Sequence, residues 1–170
     1  MTMRRLSLAV FLVLCAMCVV GAIWYYPQLP ERVASHFGPS GQPDAWSTKR
    51  SFVTFYLMTT GFCALVFFGI SLGIYKIPQN LINLPNKDYW LSPEHKKTTF
   101  DFMFQYFLWF ASATLLLILD MFQQSIQVQL GKTQSLPHPK LSLGLYIGFT
   151  IVWIIGLIVK FGKKGNSQQG

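Results

Sequence analysis

The sequence is poor in charge, and poorest in acids. Of 170 residues only six are Asp or Glu, and charged residues of both signs make up 12%, against about a quarter in soluble domains. Beside 52% hydrophobic residues and 15 phenylalanines, that shortage excludes an ordinary soluble domain. Cysteine is scarce as well. Cys15, Cys18 and Cys63 all lie inside apolar runs, which excludes a disulfide framework. Cys15-Ala-Met-Cys18 has the spacing of a redox or metal pair, but no second pair completes a zinc site, and the sulfurs read as small packing groups. Hydrolytic signatures are missing from the polar stretch 26–49, which holds no H-x-x-x-H and no G-x-S-x-G. The net charge is +8, yet the basic residues flank apolar runs instead of forming a stripe. They read as topology signals, and no nucleic-acid partner is expected.

What is present is four long apolar runs, about 6–26, 51–75, 100–122 and 141–159. The length allows one domain over 1–170, so the expected fold is an all-α integral membrane protein of four transmembrane helices, embedded in a lipid bilayer. The first run spans about 30 Å at 1.5 Å per residue, enough to cross. A signal peptide cleaved at Val20-Gly21-Ala22 is the rival reading. The run continues through Ile23, Trp24, Tyr25 and Tyr26, an aromatic belt suited to the interface, which favours a retained helix. Gly69…Gly73 and Gly144…Gly148 are small-xxx-small elements; the first reads as packing within the chain. The tail 160–170 is expected to be disordered.

Orientation follows from counting. With the N-terminus inside, the inner side holds Arg4, Arg5, Lys76, Lys87, Lys96, Lys97, Lys160, Lys163 and Lys164, nine cations, and the outer loops hold five: Arg32, Lys49, Arg50, Lys132 and Lys140. Both termini are therefore expected in the cytoplasm.

The third run is unusual for its polar groups. Asp101 lies one turn from Lys97 and is expected to reach it; Gln105 shares its face, and Asp120 lies near the opposite end. Intramembrane acids are functional candidates, but near helix ends they hydrate more cheaply, and a structural role is preferred. Upstream, Ser92-Pro93 reads as N-cap and first residue of this helix. Downstream, the alternation Ile126-Gln-Val128-Gln-Leu130 is open between a short strand and a surface-lying segment.

The chemistry-bearing residues concentrate in the polar island Tyr26–Lys49. It holds four prolines (Pro27, Pro30, Pro39, Pro43) together with Glu31, Arg32, His36, Asp44 and Trp46. His36 with Asp44 and Glu31 has the residue types of a divalent-metal site or of a base with its orienting acid, but the spacing is too loose to argue for either. No metal or cofactor is expected. The structural reading is that His36 and Asp44 hydrogen-bond the loop into a fixed lid, with turns at 39–41 and 42–44, and that Trp46 anchors at the interface. Asp120 is expected to reach Arg32 or His36 and tie the lid to the bundle.

Leu29, Pro30, Glu31, His36, Phe37, Gly41, Pro43, Asp44 and Trp46 form the pattern L-P-E-x-x-x-x-H-F-x-x-x-G-x-P-D-x-W. It resembles the signature of a family of small bacterial membrane proteins of unknown function, whose domain also opens the SdpI-type immunity proteins. A second matching stretch contains Asn83, Pro85, Asn86, Lys87, Tyr89 and Trp90, followed by Ser92-Pro93-Glu94. Two positions depart from the pattern: Ala34 where the family commonly has Pro, and Gly38 where it commonly has Asn. They are expected to alter loop stiffness rather than chemistry. The resemblance implies a multi-pass protein of the bacterial inner (plasma) membrane that binds or senses a partner, a peptide toxin or an envelope protein, through its outer loop. A metal-dependent hydrolase using His36, Asp44 and Glu31 is the alternative. A further one is an accessory subunit of a transport or envelope complex using Asp101, Gln105 and Asp120, though Asp120 stands about 100° around the helix from Asp101.

Overall fold

The computed structural model describes residues 3–162. Five α-helices form among the described residues: α1 (Met3–Tyr25), α2 (Lys49–Gly73), the single turn α3 (Lys87–Trp90), α4 (Lys96–Gln129) and α5 (Pro139–Gly162). All but α3 are long and apolar enough to cross a bilayer. Between α1 and α2 the chain forms an antiparallel hairpin of β1 (Arg32–Phe37) and β2 (Pro43–Thr48). Of the expected disordered tail, Lys160–Gly162 close the last helix, and 163–170 lie outside the described residues.

α4 is the centre of the molecule. Its 34 residues measure about 51 Å, some 20 Å more than a hydrocarbon core of about 30 Å. The apolar run 100–122 marks only the middle of it, because hydropathy reports where the bilayer ends and not where the helix ends. The expected start at Pro93 is corrected to Lys96. Ser92 does not cap α4, since its hydroxyl lies 3.0 Å from His95 Nδ1 and its carbonyl accepts from the backbone of His95 and Lys96. The stretch open between strand and surface segment is helix, which runs on through Gln129. It stops where Gly131, at φ 69°, allows Lys132 N–H to reach Gln127 O and Gly131 N–H to reach Val128 O, a Schellman closure.

α1 and α2 pack along α4. At the hairpin end Cys18, Ala22, Val53, Tyr56, Leu119, Phe122 and Ile126 form one apolar cluster, with the Phe122 ring stacked 3.9 Å from Tyr56 and 5.9 Å from Phe52. Phe11, Phe104, Leu108, Ala111 and Leu115 form the next, and Ile74, Leu91 and Phe100 close the far end. Cys18 is fully buried in this packing, as expected for a small packing sulfur.

α5 is peripheral and buries only Ser142 and Phe161. Polar rungs attach it to α4. Tyr106 Oη donates to Trp153 O at 2.6 Å while Trp153 Nε1 donates to Tyr106 O at 3.2 Å, and the hydroxyls of Thr114 and Tyr146 lie 2.9 Å apart. Gly156 makes room for this, since a Cβ there would come within 2.5 Å of Tyr106 Oη. Between helices surrounded by lipid, hydrogen bonds and close packing replace the hydrophobic drive that operates in water. The expectation for Gly69 and Gly73 is corrected: a Cβ at either glycine meets nothing within 4 Å, so that notch faces away from the bundle.

Candidate functional site: a clamped hairpin

The hairpin brings His36 and Asp44 together. The two strands leave register at Ser35, so that Ala34 pairs with Trp46 and His36 with Ala45, a bulge that re-aims the side chains beyond it. His36 Nδ1–H then donates to Asp44 Oδ1 at 2.5 Å, with both side chains more than half exposed. The departure at Gly38 matters here, because a Cβ at that position would sit 3.1 Å from Asp44 Oδ2. The turn itself runs Gly38–Gly41, closed by Gly41 N–H to Gly38 O at 2.8 Å. Gly41 holds φ 78° with Leu136 backbone 3.4 Å from its would-be Cβ. The expected second turn at 42–44 is strand instead, since Pro43 and Asp44 open β2.

Glu31 is not part of this pair. Its carboxylate takes Lys49 Nζ at 2.8 Å, and its carbonyl accepts Lys49 N–H at 3.0 Å, so it closes the base of the hairpin. Arg32 lies over the ring of Trp46 at 5.8 Å. Among the described residues no group of three or more His, Cys, Asp or Glu is arranged to hold a metal ion. Leu29 is buried, Pro30 exposed, and Phe37 and Pro43 half-buried as the last cross-strand pair.

What fixes the hairpin in space is Gln129. Ala34 N–H donates to its Oε1 at 2.8 Å, and its Nε2 donates to Ala34 O at 2.7 Å. One side chain thus occupies the free edge of β1 as a neighbouring strand would. Seven residues of α4 beyond Phe122, about 10 Å, carry Gln129 up to that edge. The departure at Ala34 therefore alters chemistry as well as stiffness: a proline there has no N–H for Gln129 to accept. Leu136 N–H adds a contact to Gly41 O at 2.9 Å, and Val33 is buried in the cluster beneath.

Asp120 does not reach Arg32 or His36. One oxygen accepts Gln124 Nε2 at 2.7 Å, and the other lies 3.6 Å from His138 Nε2. Gln124, 1% exposed, also donates to Ser142 Oγ and accepts from His138 N–H. Asp101 does not pair with Lys97 either. Tyr75 Oη donates to it at 2.6 Å and Arg4 Nη1 lies at 3.6 Å, while Gln105 turns back to the Asp101 carbonyl. The two acids stand 19 residues apart, about 28 Å along the helix, each with its own partners.

The second sequence stretch caps α5. Asn86 Nδ2 donates to the carbonyls of Phe161 and Gly162 at 2.9 and 3.2 Å, and Trp90 Nε1 donates to Phe161 O at 3.2 Å. These are helix-end carbonyls without intrahelical partners. Asn86 adopts the left-handed conformation, φ 53°, which Asn tolerates better than most residues. Lys160 lies over the Trp90 ring at 5.0 Å, and Tyr89 packs on His95. Lys87 is half-buried, whereas Asn83, Pro85 and Glu94 are exposed. Sequence reasoning missed Gln124, Gln129, His138 and Ser142. Their only local signal is amide and hydroxyl groups at the margin of an apolar run.

Residues 12–60, which run from the middle of α1 through the hairpin into α2, match a domain of unknown function, DUF1648. No curated protein and no solved structure matches the chain.

Proposed function

We propose that the chain is a non-enzymatic, multi-pass protein of a bacterial plasma membrane that binds or senses a partner through its hairpin. Both termini lie in the cytoplasm and the hairpin lies outside, as the excess of cations at the opposite end favours. The observation that best supports this reading is the division of the hairpin into a fixed face and a free one. Val33 and Ala34 are buried and clamped, while His36, Asp44 and the Arg32–Trp46 pair point outward. Trp and Arg are the side chains most often carrying interface energy, and a held surface loses less entropy on binding than a mobile loop.

The resemblance to SdpI-type immunity proteins makes a membrane-active peptide toxin the concrete partner. The hydrolase alternative keeps only the His36–Asp44 pair, because Glu31 is taken by Lys49. Cells producing the protein are expected to survive challenge with such peptides better than cells lacking it. His36→Ala and Trp46→Ala are expected to abolish that survival at unchanged protein level. Survival equal with and without the protein across a panel of peptides would remove the immunity reading, and full protection by both variants would remove the hairpin as its seat.

A further inference from the structure

A crevice of about 500 Å³ separates α4 from α5 at the hairpin end. Its walls are almost wholly apolar: Ala113, Leu116 and Leu117 on α4, and Leu141, Leu145 and Phe149 on α5. It opens sideways, away from α1 and α2, where Leu116, Leu141 and Leu145 are 56%, 61% and 67% exposed. One end is polar, closed by Asp120, His138 and Ser142, while the Tyr146 hydroxyl sits on Thr114 toward the inner end. That end lies within a turn of Phe122, which is level with the last turn of α1 and the first turn of α2. In a bilayer this is the depth of the headgroups, and the apolar length from Asp120 to Ala113, about 10 Å, runs inward.

At the polar end the amide and hydroxyl donors are already spent. Both Nε2 protons of Gln124 are engaged, on Asp120 Oδ2 and Ser142 Oγ. The Ser142 hydroxyl donates to His138 O. Asp120 Oδ1 remains, with His138 Nε2 3.6 Å away, too far for a hydrogen bond between them. With the His138 ring proton on Nδ1, its Nε2 is a second acceptor, and two acceptors at that separation suit a single ammonium group, whose three N–H donors reach both at once. A phosphate at this end is repelled by the Asp120 carboxylate.

We propose that this crevice is a lipid site selective for a phospholipid whose headgroup ends in a primary ammonium. The acyl chain lies between α4 and α5, and the ammonium sits on Asp120 and His138. The site lies beyond the hairpin face and does not depend on what the hairpin binds. A quaternary ammonium has the same charge and no N–H, so it separates hydrogen bonding from charge alone.

The test is reconstitution of the full chain in nanodiscs holding equal parts of phosphatidylethanolamine, phosphatidylcholine and phosphatidylglycerol. The protein is then released and its retained lipids are identified by native mass spectrometry. Wild-type protein is expected to retain phosphatidylethanolamine over phosphatidylcholine by about tenfold, the scale of one charge-assisted hydrogen bond. Asp120→Asn keeps an acceptor for Gln124 and is expected to bring the ratio close to one. Leu145→Trp fills the crevice from its exposed wall, leaves the polar end untouched, and is expected to lose the retained lipid of either class. Equal retention of the two lipids by wild type, a preference for phosphatidylglycerol, an unchanged ratio in Asp120→Asn, or wild-type retention in Leu145→Trp would each overturn the proposal. So would capture of a second copy of the chain in place of lipid.

Discussion

Single amide side chains decide how the parts of this molecule meet. Gln129 is the clearest case, since its one carboxamide satisfies both backbone groups of Ala34, 95 residues away in sequence. A two-stranded hairpin alone is marginal in water, so the clamp is what keeps His36, Asp44 and Trp46 in a constant arrangement. Removing it leaves an N–H and a C=O at a part-buried edge without partners, at a cost of about 1–3 kcal/mol. Gln129→Leu is therefore expected to speed limited proteolysis between Glu31 and Lys49 by about tenfold or more, in proportion to the open population. Gln129→Glu keeps the acceptor for Ala34 N–H and loses the donor, so an intermediate rate is expected. Cleavage of Gln129→Leu at the wild-type rate would show that Val33 and Leu136 suffice to hold the hairpin. The His36–Asp44 pair acts differently. Both groups are largely exposed, and such pairs contribute only about 0–1 kcal/mol. Its presence at the tip is better explained by what it offers a partner than by what it does for the fold.

At the scale of elements, α4 is a spine and α5 an attachment. The first follows from α4's length and from the apolar clusters it shares with α1 and α2; the second follows from how little α5 buries. Gln124 fastens the start of α5, and Asn86 with Trp90 fastens its end. Gln124→Leu leaves His138 N–H and Asp120 without their partner at a part-buried site, which is expected to lower stability in detergent by about 1–3 kcal/mol. Trp90→Phe keeps the ring packing and drops one hydrogen bond, about 1 kcal/mol. Thermal unfolding followed by circular dichroism should rank the two in that order. The reverse order would mean that the α3 cap, not the Gln124 knot, carries the attachment. These elements were unequally legible beforehand. Four helices could be read from uncharged runs, because a bilayer imposes a minimum apolar length. The ends of α4 could not, because Gln123 and Gln124 are good helix formers that hydropathy counts as loop. The strands were hidden too: Arg32–Phe37 shows two consecutive buried residues around a bulge, not alternation. His36 with Asp44 was legible as a pair, whereas the role of Gln129 depends on a partner no local pattern encodes.

For the whole molecule, the decisive feature is that the fold sorts its charges by end. Arg4, Asp101 and Tyr75 meet at one end, where the α3 segment also caps α5; Arg4, Arg5, Lys76, Lys87, Lys96, Lys97 and Lys160 gather there. The hairpin end holds Arg32, Lys49, Arg50, Lys132 and Lys140, of which Lys49 is neutralised by Glu31. Because short loops rich in Lys and Arg stay in the cytoplasm, this distribution favours the outward direction proposed for the hairpin and, with it, for the polar end of the α4–α5 crevice. A cysteine placed at Ser40, exposed at the hairpin tip, is expected to react with a membrane-impermeant maleimide on intact cells. One placed at Asn83, exposed at the other end, is expected to react only after the membrane is opened. The native Cys15, Cys18 and Cys63 lie within the spans and supply a low background. Labelling in the opposite sense would put the His36–Asp44 face in the cytoplasm, beyond the reach of an external toxin, and the immunity reading would fall with it. The clamp, the α5 cap and the crevice chemistry would stand unchanged, since each follows from contacts within the chain and not from its orientation.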